Sequence, residues 1–280
     1  MSRTGRAPWR GVRGTVLAVL IGVALGLIAV GIWSALDPLP PTAREIRHTL
    51  LEEVQPVALK NCTLQRFGSP NDGGYLMCGN LLGNVQAAYS YGIGIDDNWG
   101  CEMSKRLNVT VHRYDCFDPA RPECPGGRAE FHDECIGAAT ETIDSRTFDT
   151  LTNQIAKNGD TGKTLVVKID VEGAELKSLL ATPDAVLDRI DQLAMEIHGA
   201  NRDFLEMVRK LKRTFHVAHL HFNNSACAVR FAPFPSWAYE VLLVNKRIGV
   251  HDPGLPPPAL PNVLDAPVNL IRPDCQTLRD

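Results

Sequence analysis

Between residues 61 and 250, short runs of β-branched and aliphatic residues alternate with stretches whose apolar positions recur at helical spacing. The runs predict strands at 87–92, 109–117, 129–136, 164–171, 192–198, 216–222 and 238–245. Helices are expected between them at 98–107, 145–157, 174–180 and 202–212. This alternation argues for an α/β fold with a mostly parallel sheet covered on both faces. The last two strands have no helix between them, which predicts an antiparallel pair at one edge. In open sheets of this kind, ligands bind beyond the carboxyl ends of the strands, where strand order reverses.

The ends of the chain break the pattern. Residues 14–36 form an uncharged apolar run, and a helix needs about 20 such residues to cross a bilayer. A cleaved signal peptide is the alternative, but its apolar region is about 7 to 15 residues long and is followed by an A-x-A-like site. No convincing site follows here. Arg3, Arg6, Arg10 and Arg13 precede the run and mostly acidic sequence follows it, the asymmetry of a type II single-pass protein. The expected organisation is a cytoplasmic tail at 1–13, a signal anchor at 14–36 and a stem at 37–60 with room for one helix. A folded domain at 61–250 follows on the non-cytoplasmic side, in a secretory lumen or periplasm, and then a proline-rich tail at 251–280.

Composition narrows the partners. A net charge of -3 gives no broad basic surface, so nucleic acid is not an expected partner. None of the eight cysteines forms a C-x-x-C pair, which removes the zinc-ribbon and thioredoxin-like spacings. An even count beyond an anchor fits disulfides in an oxidising compartment, with buried free thiols as the alternative. Asn61, Asn108 and Asn223 start N-x-[ST] triplets, the acceptor pattern for N-glycosylation.

Chemistry-bearing residues gather at the predicted ligand edge. In "YSYGIGIDDNWG", Gly92 and Gly94 let the backbone pass close to a ligand, although the third glycine of a dinucleotide loop falls at Asp97. Asp118, with Asp115 three residues before it, lies about 20 residues past the glycines, where an acid accepts ribose hydroxyls. The alternative is a surface Asp that starts a turn at Pro119, but loop and acid together favour nucleoside binding. Asp170 and Glu172 close the strand of "LVVKIDVEGAEL" on one face, as metal ligands, as a general base or as cofactor contacts. Helix capping would account for one of these acids. Glu196 and His198 of "LAMEIHGA" end the following strand on one face, and parallel pairing would gather all four around one pocket. "KNGDTGKT" imitates a P-loop but precedes a strand, and His216, His219 and His221 read as residues of a half-buried strand more than as a zinc site.

"GSPNDGGYLMC", "YSYGIGIDDNW", "VHRYDCFDP", "VVKIDVEGAE", "LAMEIHG" and "YEVLLVN" occur in the order seen in the FkbM-related methyltransferase-like domain family that includes methyltransferase-like protein 24. The chain resembles this family over roughly residues 67–245, with "KIDVEGAE" and "DGGY" the most specific parts. The resemblance implies a Rossmann-like class I methyltransferase sheet using S-adenosylmethionine. By motif position, Gly92, Gly94 and Asp118 would contact the cofactor, joined by Asp72, Gly73, Gly74 and Tyr91. Asp170, Glu172, Glu196 and His198 would form the transfer site, with Asp170 or His198 as base. A divalent metal, if used, would fall to Asp170, Glu172 and His198. The expected activity is O-methylation of a sugar or other small hydroxylated acceptor. A type II glycosyltransferase using Asp170 and Glu172 as a D-x-E metal site is the alternative, as is a non-catalytic binding domain.

Overall fold

The computed structural model describes residues 41–275. The predicted cytoplasmic tail and anchor lie outside them, and among the described residues no helix is long and apolar enough to cross a membrane. The helices are α1 (Ala43–Glu53), α2 (Asn98–Leu107), α3 (Leu151–Lys157), α4 (Ala174–Ala181), α5 (Asp184–Leu187) and α6 (Arg202–Thr214). The first six strands are β1 (Leu64–Gly68), β2 (Gly74–Cys78), β3 (Ala87–Tyr91), β4 (Thr110–Tyr114), β5 (Arg128–His132) and β6 (Cys135–Gly137). The remainder are β7 (Glu141–Ile143), β8 (Arg146–Thr150), β9 (Leu165–Ile169), β10 (Ile190–His198), β11 (Phe215–Phe222) and β12 (Ala238–Asn245).

The central sheet has the order β11-β12-β10-β9-β3-β4-β5. Strands β10, β9, β3, β4 and β5 pair in parallel, which makes this a mixed α/β fold of Rossmann-like form. Strands covered on both faces should be apolar throughout rather than alternating, and all five residues of β3 and of β9 are buried. Ala87, Tyr89, Leu165 and Val167 join one apolar cluster, which the α6 residues Phe204, Met207 and Leu211 cover. Their sequence neighbours Ala88 and Val166 join a second cluster with Met77 of β2 and Trp99 and Met103 of α2.

Several boundaries differ from the sequence pattern. The antiparallel pair forms, but the reversed strand is β12, one in from the edge, and β11 is the edge strand. The predicted strand at 129–136 is two elements, since β5 ends at His132 and Cys135 starts a small separate sheet of order β6-β8-β7. The first turns of the predicted helix at 145–157 are instead β8, and Thr150 caps the shortened helix by accepting the Asn153 N–H. The β-branched Thr147 and Thr150 flanking Phe148 favour that strand.

Neither end of the described chain hangs free. Within the stretch read as a stem, Leu50 of α1 and Val54 just after it are completely buried, and Glu53 takes Arg209 and Lys212 of α6 at 3.0 and 2.6 Å. The proline-rich segment is held against edge strand β11 and the loop after it, where Asp265 meets His219 at 2.8 Å and Asn224 donates to the carbonyls of Asn269 and Arg272. All eight cysteines are paired, as Cys62–Cys78, Cys101–Cys124, Cys116–Cys135 and Cys227–Cys275. The last of these fastens the C-terminal segment.

Candidate functional site at the switch between β3 and β9

From β3 the chain winds outward through β4 and β5, then returns to β9 on the other side and winds out through β10. Strand order therefore reverses between β3 and β9, and a cleft of about 660 Å³ opens beyond their carboxyl ends. Tyr91, Gly92, Gly94, Asp118, Asp170 and Glu172, all singled out in the sequence, line it.

The glycine loop is built around close backbone contact. Gly92 has φ 70°, and a Cβ there would strike the Asp170 carbonyl. Lys168, buried in β9, donates its ammonium to the Gly92 and Tyr91 carbonyls at 2.6 and 3.3 Å, locking the two strand ends together. Gly94 has φ 54° and a Cβ there would meet nothing within 4 Å. Its N–H donates to Asp115 Oδ2 at 3.0 Å, while Asp115 Oδ1 accepts from the N–H groups of Phe117 and Asp118. Asp115 is thus the acid directly after β4, with both oxygens spent on bracing loops. Asp115 and Asp118 both line the cleft, and Asp118 Oδ1 accepts from the Ala120 N–H. Asp97, at the missing third glycine, caps α2 through the Gly100 N–H and pairs with buried Arg113 at 2.8 Å, so it faces inward.

The second group of predicted residues converges on His198. Its Nε2 lies 3.8 Å from Asp170 Oδ1, 3.5 Å from Glu172 Oε2 and 3.6 Å from Glu196 Oε2. Buried Glu175 accepts the His198 N–H at 2.9 Å, lies 3.3 Å from Nδ1 and takes the Gly173 N–H at 2.7 Å. Burial alone would lower the His198 pKa, but hydrogen bonds to Glu175 and Glu196 outweigh it and hold the ring at about 10. Burial pushes Glu196 above the usual carboxylate range, against its bonds to His198 and Asn223. Asp170 accepts from the Tyr75 hydroxyl at 2.8 Å, and burial beside this carboxylate raises the phenol well above its ordinary value. Glu172 is 80% exposed and sits at φ 53°, a left-handed conformation that is uncommon outside glycine and costs of order 1–3 kcal/mol.

Glu196 and His198 adjoin Asp170 without lining the cleft. Asp72, Gly73 and Gly74 do not line it either; they turn the β1–β2 hairpin, and the residue after them, Tyr75, reaches Asp170. Ligand atoms of Asp170, Glu196 and His198 lie within 4.8 Å of one another, a set able to hold a divalent ion, with Glu196 where Glu172 was expected. Of the three neighbouring histidines, His219 pairs with Asp265 and His221 with Glu240 at 3.4 Å. Asn223 is buried and donates to Glu196 at 2.7 Å, so its amide is unavailable for a glycan, whereas Asn108 is exposed.

Sequence reasoning passed over Glu175, Tyr75 and Lys168. Glu175 and Leu179 lie one helical turn apart on the buried face of α4, so a carboxylate on an apolar stripe was the available signal. Lys168 carried the same kind of signal, as a charge inside an apolar strand.

No family model and no curated protein matches the chain. Among solved structures it is similar to a protein of Thermoplasma acidophilum titled "Thermoplasma acidophilum 1320", at 14% identity with a TM-score of 0.31. That similarity covers 72% of this chain and 98% of the other.

Proposed function

We propose that the protein is a class I methyltransferase that uses S-adenosylmethionine to methylate a hydroxyl of a sugar or other small acceptor. The observation that carries this reading is the cleft at the β3–β9 switch, where two positive-φ glycines and Asp118 stand on one side and Asp170 and Glu172 on the other. The ordered motifs of the family resemblance support it, as does a parallel sheet with a single reversed strand.

The residues present suit the cofactor. A cleft of about 660 Å³ falls within the roughly 300–1,000 Å³ that small-molecule sites occupy. Open space over Gly94 lets a ligand approach the backbone, Asp118 offers a carboxylate to ribose hydroxyls, and Phe117, Ile136 and Phe148 provide apolar wall. When bound, S-adenosylmethionine supplies a methyl group activated on a sulfonium.

This chain's residues then align the acceptor and take its proton. His198, held near pKa 10, already carries a proton at neutral pH and is a poor base. The base role therefore falls to Asp170. Tyr75 donates to Asp170 Oδ2 and fixes the carboxylate, leaving Oδ1 toward His198 and the acids. The imidazolium offsets the charge of Asp170, Glu172 and Glu196 gathered around it. We also assign the domain to a non-cytoplasmic, oxidising compartment, supported by four disulfides that use every cysteine. Activity there requires a cofactor supply on that side of the membrane.

The test is transfer of labelled methyl from S-adenosylmethionine to a panel of hydroxylated sugars. The reading expects transfer by the wild type and loss with Asp170→Asn. Manganese-dependent turnover of nucleotide sugars, with no methyl transfer, would replace it with the glycosyltransferase reading.

A further inference from the structure

A second cluster lies on the paired strands β4 and β5, among residues that do not line the cleft. His112 of β4 directly faces Glu130 of β5, and His132 lies one step along the same face. His112 Nδ1 is 3.2 Å from His132 Nε2 and 3.4 Å from Glu130 Oε2, and the three ligand atoms lie within 4.8 Å of one another. Two ligands bound tetrahedrally at the usual zinc–nitrogen length of about 2.0–2.1 Å are themselves about 3.3 Å apart.

The other nitrogen of His112 is already committed. Its Nε2 lies 3.2 Å from Oδ2 of Asp160, a fully buried carboxylate that also accepts from the Tyr89 hydroxyl at 2.8 Å and pairs with Lys163. Asp160 belongs to the P-loop-like "KNGDTGKT" stretch, which binds no phosphate in this reading. A carboxylate accepting from one ring nitrogen sets the tautomer and turns the other nitrogen's lone pair outward, the arrangement that supports metal-bound histidines. With Nε2 donating to Asp160, Nδ1 is an acceptor facing both a second imidazole and a carboxylate. A proton on His132 would satisfy one of those contacts and leave two acceptors opposed in the other; a cation satisfies both.

We propose that His112, His132 and Glu130 form a binding site for a divalent transition-metal ion of the zinc class, with Asp160 orienting His112. Two nitrogens and one carboxylate favour zinc, copper or nickel over calcium or magnesium, and three protein ligands leave one position for water. The ion would clip edge strand β5 to β4.

The test is equilibrium binding of zinc chloride to the chelator-stripped full chain carrying Glu196→Gln, which disables the separate Asp170 cluster. One equivalent should bind, with affinity falling at least about 10-fold in Glu130→Gln and in Asp160→Asn, and binding should vanish in His132→Phe. Glu130 is largely exposed, so its variant keeps the fold intact should His132→Phe disturb the stack on Tyr114. Cobalt in place of zinc should give the visible absorption of a low-coordinate N/O site. Failure of the Glu196→Gln protein to bind zinc, or binding unmoved by Glu130→Gln, would overturn the proposal.

Discussion

Asp170 is where the sequence clue and the geometry meet. It ends an apolar strand, faces the cleft and is held by Tyr75. Asp170→Asn should lower methyl transfer by about 10²–10⁴-fold, the usual worth of a positioned base, while leaving binding of the demethylated cofactor intact; kcat against isothermal titration separates the two. Asp149 offers an independent test of side-chain electrostatics. Burial would raise its pKa, but Lys157, Thr140, Asn153 and the Thr150 N–H pull it down to about 2. A depressed folded pKa means the stabilisation is complete above the unfolded value of about 4 and is lost as pH falls toward about 2. Asp149→Asn should therefore remove about 2 kcal/mol at neutral pH and flatten the acid limb of a denaturation series below about pH 4. At this scale the sequence was legible where polarity broke a pattern visibly, as at Asp170 and His198. It was not legible for Glu175, whose acidity resembled ordinary capping until the helix face was known.

Strands β3 and β9 were readable as elements because strands buried on both faces are apolar throughout. The predicted strand at 129–136 failed because it ran across Asp133 and Glu134, residue types depleted in strands, which separate β5 from β6. β12 read as a strand, but its place one in from the edge depends on which neighbour it pairs with, which no local pattern encodes. Helix α1 carries the clearest element-level prediction. Leu50 is 0% exposed against the core, so Leu50→Ala should cost about 2–5 kcal/mol in urea unfolding. A change under about 0.5 kcal/mol would mean that α1 is a spacer and contributes no core.

For the molecule as a whole, the C-terminal segment and the disulfides tie together parts of the chain that are distant in sequence. The Cys227–Cys275 link closes a long loop across the surface beside the Asp265–His219 pair. Replacing both cysteines by serine should cost about 2–4 kcal/mol and lower Tm by roughly 5–15 °C, read by thermal scanning without reductant. Cysteine pairing and the path of a proline-rich segment are long-range facts without local periodicity, so composition signalled disulfides but not their partners. The central claim is that the β3–β9 cleft binds an adenosyl cofactor. Isothermal titration of the oxidised protein with S-adenosylmethionine and its demethylated product tests it most directly. The account predicts one saturable site for each, weakened at least about 10-fold by Asp118→Ala through loss of the ribose contact. Absence of binding to both ligands, under oxidising and reducing conditions alike, would contradict it.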